Sequence, residues 1–145
     1  MKTVLVTAVG SFAGETVIRH LKELGLRVLG CDVYPAEWVV SSRDADVFFQ
    51  APYAAGREDY LAFMQELCET EEVDGLIPLT DTEVDALTGS EFDGKSRTRL
   101  LISGRRTIEL CRDKIKSGEY LNSLGIGRPI PGINLGQADA SALEY

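Results

Sequence analysis

The opening 32 residues constrain the fold more than any other part of the chain. Residues 3–8 form a short Val-rich run that is apolar on both faces, the mark of a parallel strand covered above and below. A loop with Gly10 and Gly14 follows. Val17, Ile18, Leu21 and Leu24 then fall at helical spacing, with Arg19, Lys22 and Glu23 opposite, and Gly25 stands where a helix ends. Residues 27–31 read as a second strand with Asp32 at its carboxyl end. Strand, turn, helix and strand within roughly 30 residues is one βαβ unit, and its crossover is expected to be right-handed.

The alternation continues. Residues 45–50 read as a third strand. Tyr60, Leu61, Met64, Leu67 and Cys68 mark a helix over 58–70, and the Tyr60/Phe63/Met64 stripe reads as core. Residues 74–79 read as a fourth strand, followed by Thr80, Asp81, Thr82 and Glu83 and a helix through Leu87; residues 100–103 read as a fifth strand. Strands alternating with helices predict an α/β fold: a doubly wound, mostly parallel, five-stranded Rossmann-like sheet with helices on both faces. From Arg105 the pattern changes. Ile108, Leu110 and Cys111 suggest a short helix, and Asp113 is placed to cap a second, running to Leu124 and closed by Gly125. The run Arg128-Pro129-Ile130-Pro131-Gly132 predicts an extended exit, and residues 137–145 the start of another helix. The expected division is a Rossmann-like domain over 1–104 and a helical extension over 105–145.

The charge balance narrows the partners. Asp and Glu number 23 against 15 Lys and Arg, a formal charge of −8, which repels a phosphate backbone; no nucleic-acid partner is expected. Cys31, Cys68 and Cys111 are scattered and His20 is the sole histidine, so a structural zinc site is not expected and free thiols fit a reducing cytosol. No run approaches the 18 or so apolar residues of a membrane span. A cytoplasmic protein without a membrane partner is the expectation.

In doubly wound sheets ligands sit at the carboxyl ends of the strands, near the reversal of strand order. Three loops here take such positions: residues 9–14, 32–35 and 78–83. Glycines in the first would let backbone approach a ligand, and the helix that follows would offer N–H groups to an anion. As a dinucleotide fingerprint this loop is poor, because Ala8, Gly10, Ala13 and Gly14 lack the G-x-G-x-x-G spacing. Asp32 nevertheless stands roughly 20 residues after Gly10, where an acid can hold a ribose. Asp32, Asp81, Glu83 and Asp85 could bind an amine or a metal, or serve as helix caps, a position Asp81 occupies. His20 has no neighbouring nucleophile in sequence, and no catalytic triad is supported.

Several segments in order resemble the N-terminal part of ATP-grasp ligases, closest to the carbamoyl-phosphate-synthase-like group of carboxylate–amine ligases. They are V-L-V-T-A-V-G-S-F-A-G at 4–14, C-D-V-Y-P-A at 31–36, D-A-D-V-F-F-Q-A-P at 44–52, D-G-L-I-P-L-T-D-T-E at 74–83, C-R-D-K at 111–114 and L-N-S-L-G-I at 121–126. The resemblance implies a three-part enzyme in which ATP and Mg2+ convert a carboxylate to an acyl phosphate that an amine attacks. This chain would supply one wall of the substrate cleft. Carried over by position, Lys114 matches a basic residue that reaches toward ATP phosphate, and Gly10, Ser11, Phe12, Ala13 and Gly14 match a first loop facing the carboxylate substrate. Asp32 stands at the neighbouring strand end, and Thr80, Asp81 and Glu83 match polar residues that look into the cleft. The sequence departs from the pattern at Ala8, where the family often has glycine, and at Gly125-Ile126-Gly127, where the proline is delayed to Pro129.

The Lys-Pro strand, glycine-rich flap and magnesium-binding Glu and Asn of that family do not follow within these residues, so residues 1–145 alone are expected to be inactive and to bind no cofactor tightly. No catalytic residue and no metal ligand is assigned among them. Two other readings stay open: a free-standing nucleotide- or NAD(P)-binding module, and a partner domain of a split ligase that docks on a separate ATP-grasp chain or pairs as a homodimer.

Overall fold

A computed structural model describes residues 1–92 and 96–125 of the chain. The expected exit at 128–132, the helix over 137–145 and the end of the Gly125-Ile126-Gly127 triplet lie outside the described residues. Two compact units are present, Met1–Ile102 and Ser103–Tyr145.

The first unit is an all-parallel sheet of β1 (Thr3–Val6), β2 (Arg27–Asp32), β3 (Val47–Gln50), β4 (Gly75–Ile77) and β5 (Arg99–Leu100) in the order β3-β2-β1-β4-β5. Its helices are α1 (Phe12–Glu23), α2 (Arg57–Thr70) and α3 (Asp81–Leu87), with two short 3-10 turns at Ala36–Trp38 and Val40–Arg43. The period of two along each strand divides the core. Leu5, Leu29 and Leu76 point to one face, where Tyr60, Met64 and Leu67 of α2 and Leu87 of α3 cover them. Val4, Val6 and Val28 point to the other, under Ile18 of α1 and the buried Val39 of the 3-10 segment. Both faces are apolar because both are covered, which is why the strands read as continuous apolar runs.

The strands are shorter than the apolar runs suggest. β1 ends at Val6, β4 at Ile77 and β5 at Leu100. Beyond those points the chain keeps single backbone bonds to its neighbours, Thr7 N–H to Ile77 O at 3.1 Å and Val9 N–H to Cys31 O at 3.2 Å, while it turns into the loops. α1 begins at Phe12, a turn before its apolar stripe, because Ser11 caps it and the first turn is exposed or glycine.

The amino edge is tied by acids. Asp46 accepts the Val28 N–H at 2.7 Å and pairs with Lys22. The Lys22 hydrogen bond, then the Val28 N–H, hold its carboxyl below the ordinary aspartate value of 3.8. A depressed folded value contributes stability above 3.8 that is lost as pH falls through the folded value. Asp46→Asn is therefore expected to be less stable than the parent at about pH 6, with the gap narrowing by about pH 3, below the ordinary value of 3.8. Urea midpoints of both proteins at the two pH values check this; a gap independent of pH would refute it.

The second unit contains α4 (Arg105–Arg112) and α5 (Lys114–Ser123). The Asp113 carboxylate caps α5, accepting from the N–H groups of Ile115 at 3.0 Å and Lys116 at 3.1 Å. Ser117 Oγ donates to Leu110 O at 2.6 Å and joins the two helices. Gly125, at φ 64°, follows the last turn in the left-handed conformation that ends helices. Neither helix has a buried residue.

Candidate functional site

Strand order reverses between β1 and β4, the switch point at whose carboxyl edge doubly wound sheets form their ligand crevice. The three loops singled out in the sequence meet along this edge. The first is shaped from within. Ala8 takes φ 48°, Ser11 N–H bonds Ala8 O at 3.0 Å, and Val9 is fully buried. Gly10 donates its N–H to Asp32 Oδ2 at 2.8 Å. A Cβ on Gly14 would stand 2.5 Å from Val9 Cα and 2.7 Å from Val9 C, so its missing side chain serves the contact between helix and loop. Ser11, Phe12 and Ala13 are exposed at the mouth. Gly14 N–H, one of the α1 donors expected to meet an anion, bonds Ser11 itself, and Glu15 lies in the same turn.

Left-handed Ala8 explains why glycine suits this position. An L residue there costs about 1–2 kcal/mol, offset in part by the entropy glycine loses on folding. Ala8→Gly is expected to stabilise the fold by about 0.5–1 kcal/mol, read as a higher urea midpoint. A lower midpoint would show that the methyl group packs usefully.

Asp32 is buried at the end of β2 and uses both carboxylate oxygens on backbone N–H groups, Gly10 on one and Tyr34 at 3.2 Å on the other. The segment after it, which carried no periodic signal, is the two 3-10 turns. Trp38 N–H bonds Pro35 O at 2.9 Å, Ser42 Oγ donates to Ala36 O at 2.9 Å, and Ser41 Oγ donates to Val9 O. The second loop is thereby fastened to the first.

The third loop corrects the capping assignment. Thr80, not Asp81, is the N-cap of α3, and Glu83 completes a capping box. Asp81 is the first helical residue and is exposed. Glu83 is buried. Its carboxylate accepts from Thr7 Oγ1 and Thr80 Oγ1 at 2.8 Å each, from Thr80 N–H at 3.1 Å, and from the Tyr60 hydroxyl at 3.4 Å. Burial, then the Glu83 charge, push the Tyr60 hydroxyl far above its usual range, so it stays protonated and donates. The Thr-x-x-Glu spacing is the signal that marks this network in the sequence.

Burial, followed by Glu83 and Asp32, also raises the Cys31 thiol, and burial pushes Cys68 up to about 11. Neither is a thiolate at neutral pH, so neither is a nucleophile. His20 is exposed on α1 with Nδ1 2.8 Å from Thr16 O. Among the described residues no three His, Cys, Asp or Glu side chains converge as a metal site, and no helix is long and apolar enough to cross a membrane. A cleft of about 310 Å3, lined by Cys68, Glu72, Phe92, Arg97 and Thr98 among others, lies at the amino edge, away from the crevice. Lys114 belongs to the second unit. It is the first residue of α5, exposed, with its ammonium on Cys111 O at 3.0 Å.

The all-parallel Rossmann-like fold is shared with solved structures. Three solved structures illustrate the likeness. The biotin carboxylase domain of a single-chain bacterial carboxylase superposes with a TM-score of 0.61 at 17% identity, over 87% of this chain and 30% of that one. L-amino acid ligase from Bacillus licheniformis gives 0.60 at 15%, over 90% and 32%. N5-carboxyaminoimidazole ribonucleotide synthetase from Thermotoga maritima gives 0.58 at 20%, over 87% and 31%. At these identities the likeness shows the fold alone, and the chain spans about 30% of the length of each. No family model and no curated protein sequence matches the chain.

Proposed function

We propose that this chain is the N-terminal substrate-cleft domain of an ATP-dependent carboxylate–amine ligase, of the carbamoyl-phosphate-synthase-like group. The observation that carries the reading is the fold likeness over 85–90% of the chain to enzymes of one catalytic architecture, together with the order of sequence segments given above. In this reading the carboxyl edge around Gly10, Ser11, Phe12, Ala13, Gly14, Asp32, Thr80, Asp81 and Glu83 is one wall of the cleft. Asp32 and Glu83 act there as internal braces, since hydrogen bonds within the protein occupy their oxygens. α4 and α5 lead toward an ATP-grasp module, and the half-exposed Ile115, Tyr120 and Leu121 of α5, with Leu124 at its C-cap, support a further packing partner for that unit. The module would lie in the same polypeptide or in a separate chain.

ATP and Mg2+ would serve the complete enzyme. The described residues hold no group of three His, Cys, Asp or Glu side chains that could hold magnesium. Lys114 would present a mobile point charge to ATP phosphate. The test is expression together with the coding sequence that follows, and assay of ADP release with panels of carboxylates and amines. Release that needs both substrates, and falls at least tenfold in Lys114→Met, is expected. Absence of ADP release across the panels, or saturable NADPH binding in its place, would overturn the reading.

A further inference from the structure

Aromatic side chains in the sheet unit are sharply segregated. Phe12, Tyr34, Trp38 and Tyr53 are exposed, and all four stand in or beside the loops that follow β1, β2 and β3, on one half of the carboxyl edge. The other described aromatics of the unit, Phe48, Phe49, Tyr60, Phe63 and Phe92, belong to the two core clusters. Trp38, the chain's single tryptophan, is 73% exposed, and its ring centre lies 6.1 Å from that of Tyr34. The loop that displays them is fastened at both ends. Tyr34 N–H is held by Asp32, Val39 is buried, and Ser41 bonds Val9 O. Apolar rings held toward water on a braced loop mark a recognition surface.

The charges around the rings decide what it recognises. Each helix that starts at this edge carries acid in its first turn: Glu15 on α1, Glu58 and Asp59 on α2, Asp81 and Glu83 on α3. Glu37 lies beside Trp38 in the 3-10 turn, and the base among the α2 starting residues is Arg57. Carboxylates in a first turn oppose the positive end of the helix dipole, and the exposed ones here, Glu15, Glu58, Asp59 and Asp81, weaken the field an anion would need. A second copy of the chain would set the same acids against one another across a two-fold contact.

We propose that the aromatic half of the carboxyl edge binds an organic ammonium, which in the ligase reading is the amine substrate. Trp38 and Tyr34 supply the π surface and Glu37 the compensating charge. The inference deepens the proposed function and moves this edge from the carboxylate substrate to the amine.

Trp38 is also the reporter. Phenethylammonium is titrated against residues 1–145 while tryptophan fluorescence is followed, with 3-phenylpropionate as an anion of similar size. Saturable quenching by the ammonium is expected, at least tenfold tighter than by the anion. Glu37→Gln should weaken it about threefold, and Trp38→Ala, followed by calorimetry, by fivefold or more. Equal or tighter binding of the anion, no saturable response, an affinity unchanged in Trp38→Ala, or a Trp38-dependent dimer in sedimentation would each overturn the proposal. The titration contains no ATP and reads no turnover. A working ligase whose Trp38 ignores the ammonium removes this inference alone, and a protein that binds the ammonium but never turns over ATP removes only the earlier one.

Discussion

Gly14→Ala is expected to destabilise the sheet unit by about 3 kcal/mol or more, the upper end for overpacking, because the obstacle is backbone. A methyl group at Gly14 would meet Cα and carbonyl carbon of Val9 at 2.5 and 2.7 Å. A long side chain could rotate away; Val9 cannot. It is fully buried, its N–H is bonded to Cys31 O, and its carbonyl accepts from Ser41. Relief requires α1 to lift from the loop, which would pull Ile18 out of the core under β1 and β2. In a unit of this size the melting temperature should fall by more than about 10 °C. Gly118→Ala is the contrasting substitution. It lies inside α5 with no atom within 4 Å of the added carbon, so it should be neutral or stabilising by up to about 1 kcal/mol. Thermal melts of the three proteins check both. A Gly14→Ala protein that melts within about 2 °C of the parent would show that the loop can move, and the braced first loop described above would be wrong.

Gly14 marks where local sequence stops informing. Strand, glycine loop and helix were legible because Val-rich runs and i, i+3, i+4 spacing are local patterns, and the five-stranded α/β sheet follows from their alternation. The start of α1 was not, since Phe12 is 91% exposed and Gly14 sits in the first turn, so apolar periodicity begins only at Val17. At Gly14 the missing side chain makes room for Val9, a partner that only tertiary folding reveals. The segment between β2 and β3 carries no period at all. Its order comes from Ser41 reaching back to Val9 and from Val39 entering the core. Asp32 was visible as an acid at a strand end, but that its carboxylate holds Gly10 is a contact across separate loops. Thr80 and Glu83 differ from these: the capping box is written in four consecutive residues, and attention to acidic charge alone put the cap at Asp81 instead.

Glu83→Ala is expected to cost about 3–4 kcal/mol, far more than the roughly 1 kcal/mol of an ordinary helix cap. The excess arises because Glu83 closes more than α3. Its oxygens take protons from Thr7 at the end of β1, Thr80 at the end of the fourth-strand loop and Tyr60 on α2. Thr7 and Tyr60 are at most 1% exposed, so no water replaces the lost acceptor, and an unmet buried donor costs about 1–3 kcal/mol. Glu83→Gln keeps a carbonyl oxygen for the threonines and offers an amide to the Tyr60 hydroxyl, so it should cost no more than about half as much. A cycle with Thr7→Val should give a coupling above about 1 kcal/mol, because the two side chains share one bond at 2.8 Å. Denaturant midpoints of the single and double variants check each value. If Glu83→Ala costs under about 1 kcal/mol, or the coupling vanishes, Glu83 is not the brace of the crevice and its carboxylate returns to the set of groups available to a substrate. The two outcomes separate sharply because β1 and β4 lie side by side where the strand order reverses. A charge buried there must either hold those strand ends together or be held ready for something that binds between them.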